Sequence, residues 1–238
     1  MVDGMMRVRW FGWMALTLGL TAAAGAQGAD REPRLDARRL AAMVQAFYDQ
    51  TKTVEADFYQ TYYHRLYDRY DRSKGHVVFK KPGRMRWEYA RPSGKVIVSD
   101  GRKLRVFDPG EEGEQPQLVE HDVQGRQLPA AFSFLTGQGR ILDDFRVRLL
   151  DPRRQGFPSG YVLELRPKEP TPHYDRVLFY VTVVGRDGRQ AAVVRRVLIV
   201  DAEGNRNRFD FSRLRFNREV PDERFEFRPP PGTRIVHP

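Results

Sequence analysis

The sequence predicts a mainly β protein of the α+β class, in which one large curved antiparallel sheet is covered by an N-terminal helix and a central insert of short helices. About ten segments alternate apolar and polar residues and end at turn dipeptides, whereas only one long segment has helical spacing. The 238 residues are enough to bury a sizeable core. No linker or shift of composition divides residues 27–238, so we expect a single domain there.

Residues 1–26 have the features of a cleavable signal peptide. Arg7 and Arg9 precede an apolar stretch that begins at Trp10, and small residues at 24–26 form the expected cleavage site. The apolar stretch is shorter than the roughly 20 residues that a membrane-spanning helix needs. We therefore expect the chain to be secreted.

The first elements after this segment are a helix and a long strand. Apolar residues recur at helical spacing over residues 36–50, with Asp36 as the N-cap. From Val54 they alternate with polar residues, which predicts a strand running towards Leu66. The tyrosine-rich stretch that follows, up to Ser73, is expected to form a long hairpin tip.

Alternation and turn residues also predict the rest of the sheet. The remaining predicted strands are 75–80, 84–90, 95–99, 104–108, 117–120, 146–150, 161–166, 176–184, 192–201 and 206–216. Between the fifth and sixth of these, residues 128–145 alternate poorly and are expected to form one or two short helices hinged at Gly137 and Gly139.

One face of this predicted sheet is apolar and aromatic. Within 84–90, Met85, Trp87 and Tyr89 point to one side, and charged residues point to the other. Because few helices are available to cover so large a sheet, we expect its concave face to enclose an apolar cavity. The cavity candidates are Phe58, Met85, Trp87, Tyr89, Val98, Leu104 and Val106. Taken singly, each is also consistent with an ordinary core residue.

Composition narrows the classes of function. The chain has 41 Lys+Arg against 31 Asp+Glu, a net charge of +10, and no cysteine. The absence of cysteine excludes disulfides, Cys-ligated zinc, thiol catalysis and a lipid anchor on a lipobox cysteine. The basic residues are spaced singly, as on the solvated face of a sheet, so we expect no nucleic-acid partner. An anionic membrane surface or an acidic protein remains open as a partner.

The sequence carries little that resembles catalytic chemistry. Its histidines stand apart without metal-binding spacing, and it lacks a nucleophile elbow and a phosphate-binding loop. We therefore expect no metal, no cofactor and no catalytic residue. A secreted hydrolase that uses a pair of carboxylates stays open, because such pairs meet only in the fold.

Two motifs stand in a fixed order in the first half of the chain. Residues 81–89 read K-P-G-R-M-R-W-E-Y, and 98–101 read V-S-D-G. The ending F-E-F-R-P-P-P-G-T at 225–233 and the central insert accompany them. Together these stretches resemble the LolA family of periplasmic lipoprotein carriers, and the resemblance covers most of residues 36–236.

The resemblance implies an incomplete antiparallel barrel closed by helices, whose apolar cavity holds the acyl chains of a lipoprotein. The implied partners are an inner-membrane lipoprotein-releasing ABC transporter and an outer-membrane receptor, and we expect a soluble periplasmic monomer. It places Met85, Trp87 and Tyr89 in the cavity. It places Lys81 where well-studied members have an arginine that latches the helical lid, and lysine keeps the charge but not the planar fork.

A carrier must shield acyl chains and still release them, which favours a cavity under a movable lid. The insert at 128–145 is the candidate lid, through Phe132, Phe134, Leu135, Ile141 and Leu142. A static cap is the alternative for this insert. For the whole chain, the alternatives are an envelope sensor of related fold that binds lipidated proteins and, with less support, the hydrolase.

Overall fold

The computed structural model describes residues 35–122, 139–186 and 189–236. Within these ranges the chain forms one twelve-stranded sheet, two α-helices and one 3-10 helix. The helices are α1 (Ala37–Asp49), α2 (Ile141–Asp144) and the 3-10 helix Asp222–Phe225. In this part of the chain, neither α-helix has the length and apolar character that crossing a bilayer requires.

The strands follow the predicted order closely. They are β1 (Thr53–His64), β2 (Arg69–Lys80), β3 (Arg84–Tyr89), β4 (Val96–Asp100), β5 (Lys103–Asp108), β6 (Gln117–Asp122), β7 (Phe145–Leu150), β8 (Tyr161–Pro167), β9 (Arg176–Arg186), β10 (Arg189–Val200), β11 (Arg206–Phe216) and β12 (Arg234–Val236). The predicted mainly β fold with a single large sheet is confirmed.

The sheet consists of two meanders joined at their first and last strands. Its order is β12-β6-β5-β4-β3-β2-β1-β11-β10-β9-β8-β7, so the ends β12 and β7 leave the sheet open. Neighbouring strands are antiparallel except β12 and β6, which run parallel. The first strand of the chain therefore lies in the middle of the sheet, next to β11.

Helix α1 forms because its sequence provides both a cap and an apolar stripe. The Asp36 carboxylate accepts a hydrogen bond from the Arg39 backbone N–H at 2.7 Å, which satisfies one free donor of the first turn. Leu40, Val44 and Tyr48 are buried on one side of the helix. This side packs against β7, β8 and β10, so α1 covers part of the concave face.

The structure differs from the predicted pattern in two elements. The hairpin tip expected to extend to Ser73 is shorter, because β2 already begins at Arg69 and Tyr63 pairs with Tyr70 across the hairpin. Aromatic residues favour such cross-strand pairs, and Asp68 adopts the positive φ of 46° that the tight turn needs. The three-residue strand β12 was not predicted. Residues 128–138 of the predicted insert lie outside the described residues.

The C-terminal segment crosses the outer face of the sheet. Val220 and Phe225 pack there against Val78 of β2 and Val98 of β4. The Arg86 guanidinium holds this segment, donating to the carbonyls of residues 224 and 226 at 3.2 and 3.1 Å. Strands β2 to β4 therefore bury apolar side chains on both faces.

Candidate functional site

Trp87 lies at the centre of an aromatic cluster on the concave face. Its ring centroid lies 5.0 Å from that of Phe58, 5.3 Å from Phe209, 5.7 Å from Phe79 and 6.3 Å from Phe211. The interplanar angles of 57° to 87° are tilted or edge-to-face arrangements, which aromatic pairs favour. The indole is buried. We call these five residues the aromatic cluster.

Strand register continues this apolar surface across the sheet. Trp87 pairs with Val77 of β2 and Ile97 of β4, and Ile97 pairs with Val106 of β5. Residues directly opposite one another share a face, so these four form one row on the concave side. Of the predicted cavity residues, the structure brings six into or against one apolar group: Phe58, Met85, Trp87, Tyr89, Leu104 and Val106.

The prediction that Val98 lines the concave face was wrong. It pairs with Arg86 rather than with Trp87, so it faces the outer side of the sheet. There it packs with Val78 and Phe225 beneath the C-terminal segment. Ile97, its neighbour in the sequence, occupies the concave position instead.

A glycine gives Phe58 its place in the aromatic cluster. Gly75 pairs with Phe58 across β1 and β2. A Cβ atom at Gly75 would lie 2.7 Å from the Phe58 ring and 2.0 Å from the Glu88 carbonyl oxygen. Only glycine therefore lets the ring lie flat against β2.

The tyrosines of this face are held in their neutral form. Tyr89 contacts Phe58, with ring centroids 5.0 Å apart, and burial raises the pKa of its hydroxyl to about 12. Burial likewise raises the pKa of Tyr48, whose hydroxyl accepts a hydrogen bond from the Val194 backbone N–H at 3.3 Å. The concave face thus carries no charge from these groups at neutral pH.

Helix α2 is a small cover that is tied to α1. Ile141 is buried and Leu142 is half-buried against the apolar group. The Ile141 backbone N–H donates to Gln45 Oε1 at 2.9 Å, and Lys168 Nζ donates to the Leu142 carbonyl at 2.8 Å. The other lid candidates, Phe132, Phe134 and Leu135, lie outside the described residues.

The described partners of Lys81 lie at the end of α1, while residues 128–138 of the insert, to which the resemblance assigns the latched lid, lie outside the described residues. Its ammonium donates to the carbonyl of Tyr48 at 2.5 Å and to that of Asp49 at 3.4 Å, at the C-terminal end of α1. A cation at this end offsets the partial negative charge of the free carbonyls. Burial lowers the pKa of Lys81, and Asp49 opposes that shift. In the described residues, Lys81 therefore latches α1 and not the insert.

Among the described residues, the space between α1 and the sheet is closely packed with side chains. A cavity between α1 and the sheet has a volume of only ≈ 10 Å³. Its lining is apolar and consists of Tyr48, Val54, Ala56, Val77, Phe79, Val194, Val197, Phe211 and Leu214. Sites for small molecules measure about 300–1,000 Å³. A ligand of acyl-chain size would therefore have to displace side chains to occupy this cavity.

Comparison with known proteins decides the family. The family model for the outer membrane lipoprotein carrier protein LolA matches residues 49–228. This chain belongs to the LolA family.

Several relatives of this LolA-family chain are named outer-membrane lipoprotein carrier proteins. One from Chromobacterium violaceum is 30% identical over 220 residues, which cover 91% of this chain and 95% of the relative. One from Methylibium petroleiphilum is 31% identical over 224 residues, covering 94% and 96%. A solved LolA superfamily protein from Nitrosomonas europaea aligns with a TM-score of 0.43 and 17% identity, over 81% of this chain and 98% of that one.

The five residues of the aromatic cluster include no titratable or metal-ligating side chain. Among the described residues, no three His, Cys, Asp or Glu side chains converge as a metal site would require. Glu164, the buried carboxylate, pairs with Arg148 at 2.7 Å and lies away from the aromatic cluster. LolA-family proteins are named as carriers, and this LolA-family chain is not an enzyme.

The site predicted from the sequence was incomplete on strand β11. Phe209 and Phe211 complete the aromatic cluster of this LolA-family chain, and neither was among the candidates. Their spacing of two did place them on one face of a strand. Only the pairing of Phe211 with Phe58 across β1 and β11 shows that this face is the concave one.

Proposed function

We propose that this protein binds the acyl chains of lipoproteins on its concave face and carries them through the periplasm, as a monomer. In this proposal it receives them from an inner-membrane ABC transporter and delivers them towards an outer-membrane receptor. The observation that carries the proposal is the aromatic cluster, which lines the concave side of an open sheet in a LolA-family chain. The names of the relatives support the same cargo.

The physical need for such a carrier is large. Burying hydrocarbon stabilises by roughly 0.8 kcal/mol per CH₂, so one chain of about sixteen carbons contributes on the order of 12 kcal/mol. A lipoprotein with several such chains leaves a bilayer extremely slowly unless another apolar surface receives them. A surface of buried aromatic rings offers the required environment without directional polar groups.

In this proposal the concave face opens on loading, because the cavity of ≈ 10 Å³ between α1 and the sheet cannot hold an acyl chain. Helix α2 is the weakest part of the described cover. It has four residues, and the Gln45 and Lys168 hydrogen bonds to it contribute roughly 0.5–1.5 kcal/mol each. An entering chain gains enough free energy to displace it. We assign the lid role to Ile141 and Leu142 of α2. Phe132, Phe134 and Leu135, which the sequence also predicts for the lid, lie outside the described residues.

The transfer reaction tests the whole proposal. Spheroplasts that contain the cognate transporter and a radiolabelled lipoprotein are incubated with the purified protein, and soluble lipoprotein is measured. We expect release that depends on added protein, in complexes containing one carrier chain each. A transporter that works with another carrier but gives no release with this one would contradict the proposal.

Trp87 provides a direct signal for ligand binding. Trp10 and Trp13 lie in the predicted signal peptide, so fluorescence of the exported protein reports on Trp87 alone. Because its ring is packed in the aromatic cluster, a fatty acid that enters the concave face should change its emission. Trp87→Phe serves as the blank. An unchanged spectrum at a fatty acid concentration where native mass spectrometry detects the bound complex would place the ligand elsewhere.

A further inference from the structure

The hairpin of β1 and β2 extends well beyond β3, its neighbour on one side, whereas β11 accompanies β1 as far as Tyr63 on the other. The two strands pair along their whole length, from Thr53 with Lys80 to His64 with Arg69. In contrast, β3 pairs with β2 only from Gly75 onwards. Residues 69–73 therefore project beyond β3 by about 16 Å, at roughly 3.3 Å per residue. The two strands with their connecting turn form what we call the tip hairpin, residues 59–74.

The tip hairpin exposes apolar and aromatic side chains that a soluble surface would ordinarily cover. Leu66 is 83% exposed and Tyr67 74% exposed at its turn, and Tyr59 and Tyr70 are also exposed along its strands. Most of the large hydrophobic side chains exposed in the described residues belong to this hairpin. Such a concentration marks a surface that contacts something else.

The outer face of the same hairpin interleaves tyrosines with cations. Tyr63 pairs with Tyr70 on one side and with Arg206 of β11 on the other. The next positions on this face include Arg72 and Lys74. Residues directly opposite each other share a face, so rings and cations alternate over one continuous surface.

These cations are available to an external anion. The Arg72 guanidinium lies 5.7 Å from the Tyr70 ring centroid, and that of Arg206 lies 5.4 Å from the Tyr63 ring centroid. The salt bridges formed by described residues at the tip hairpin join Asp71 to Arg69 and His64, and do not involve Arg72 or Arg206. A charge held over a ring in an exposed position can still pair with a phosphate.

We propose that the tip hairpin docks on an anionic phospholipid surface. Leu66 and Tyr67 enter the interfacial layer, and Arg72, Lys74 and Arg206 face the lipid phosphates. Tyrosine is favoured at the membrane interface because its ring is apolar and its hydroxyl remains hydrated. Cations near an anionic leaflet add electrostatic attraction. The proposal does not depend on the carried cargo.

The shape of the tip hairpin favours a lipid surface over a protein partner. A stable protein–protein interface buries roughly 800 Å² on each side. The turn presents only two strongly exposed apolar residues, Leu66 and Tyr67, which is much less apolar surface than such an interface buries. A bilayer can deform around such a tip, whereas a protein would need a matching pocket.

Vesicle sedimentation tests the proposal with no lipoprotein or transporter present. The protein, purified after export, is mixed with vesicles of phosphatidylcholine alone or with about 30% phosphatidylglycerol. We expect binding to the anionic vesicles that weakens at least tenfold between 0.1 and 0.5 M salt. Absence of binding to anionic vesicles would overturn the proposal and leave the carrier function untouched.

Paired variants separate the tip hairpin from the general surface. Leu66→Ser with Tyr67→Ser should weaken vesicle binding at least tenfold. Ile235→Ser with Tyr161→Ser makes the same chemical change at two exposed positions on β12 and β8, and should leave it unchanged. Because the four side chains are exposed, both double variants should unfold at the wild-type temperature. Equal loss in both, or no loss in the first, would overturn the proposal.

A second pair of double variants tests the contribution of the positive charges to vesicle binding. Arg72→Gln with Lys74→Gln should weaken binding about 25-fold, since each cation near an anionic surface is worth about fivefold. Arg102→Gln with Lys52→Gln removes the same charge at the far end of the strands and should have little effect. Equal effects would indicate attraction by net charge alone and would overturn a specific role for the tip.

The depth to which the tip hairpin enters the bilayer is measured with an introduced tryptophan. In Tyr67→Trp, lipids brominated on their acyl chains should quench the new indole, while Trp87 stays buried and unquenched. If the new indole is not quenched, and the tip variants instead lose capture of the transporter, the hairpin binds a protein and the proposal fails.

Discussion

The two faces of strands β2 to β4 are both apolar, but they are covered in different ways. On the outer face, Val78 and Val98 lie under Phe225, and Arg86 fixes the covering segment by hydrogen bonds to its backbone. On the concave face, the aromatic cluster lies beside a small cavity, whose lining includes Phe79, Phe211 and Tyr48 of α1. Burial alone therefore does not identify a binding surface. The structure that covers each face also has to be considered: a hydrogen-bonded segment on the outer face, and a helix beside a cavity on the concave face.

The largest expected effect comes from truncating one phenylalanine on each face. Phe79 and Phe225 are each 1% exposed, so Phe79→Ala and Phe225→Ala should both lower the free energy of unfolding by about 3–5 kcal/mol. Only Phe79→Ala, on the concave face, should also weaken fatty acid binding. Urea unfolding and a binding titration measure the two quantities. A similar loss of binding in Phe225→Ala would abolish the distinction between the faces.

A smaller effect is expected at the latch of α1. Lys81→Met removes the donors to the Tyr48 and Asp49 carbonyls and should destabilise the fold by about 1 kcal/mol at neutral pH. Lys81→Arg should retain most of the stability, because its guanidinium can donate to both oxygens.

The sign of the pH dependence of the stability contributed by Lys81 follows from the direction of its pKa shift. Burial lowers the pKa of Lys81 from 10.5 in the folded state, so the unfolded chain binds more protons between the two values. Stability from this group therefore rises with pH up to about 10.5. The deficit of Lys81→Met should grow over that range in parallel unfolding curves. A deficit that shrinks would show that the ammonium is not desolvated.

The smallest effect is expected on the outer face, at the start of the 3-10 helix. Hydrogen bonding from Lys80, helped by Arg84, lowers the pKa of Asp222 below 3.8. The stability that the Asp222 carboxylate contributes to the fold is therefore present above pH 3.8 and is lost as the pH falls through the folded-state pKa. Asp222→Asn should lower the melting temperature slightly at pH 7 and not at all at pH 2.5. Fatty acid binding should stay unchanged at pH 7.

Most strands could be predicted because each meander strand follows its own period of two. Strand β12 could not, since three residues are too few to show alternation and its pairing partner β6 is distant in the sequence. In the tip hairpin, the first strand was predicted to run towards Leu66, but the stretch from there to Ser73 was predicted as a long hairpin tip, because its polar residues obscured the strand pattern. In the structure, both strands of this hairpin run on to a four-residue turn.

The site was predictable to the extent that parity within a strand determines a face. Parity assigned Met85, Trp87 and Tyr89 to one face, because the residues that alternate with them are charged. It failed for Val98, because Val96, Ile97 and Val98 form a continuous apolar run without a polar side. Such a run is expected where both faces are covered, and only the register with β3 assigns its members.

The pairing of β1 with β11 has a consequence for folding. Gln60 and Asn207, whose side-chain amides are hydrogen-bonded at 2.8 Å across these strands, are 147 positions apart in the sequence. Strand β1 of the first meander therefore cannot pair with β11 until nearly the whole chain is available. Contacts between such distant positions slow the search for the native state. A chain that ends after β6 should remain unfolded, and the intact chain should gain its structure in one late, cooperative step.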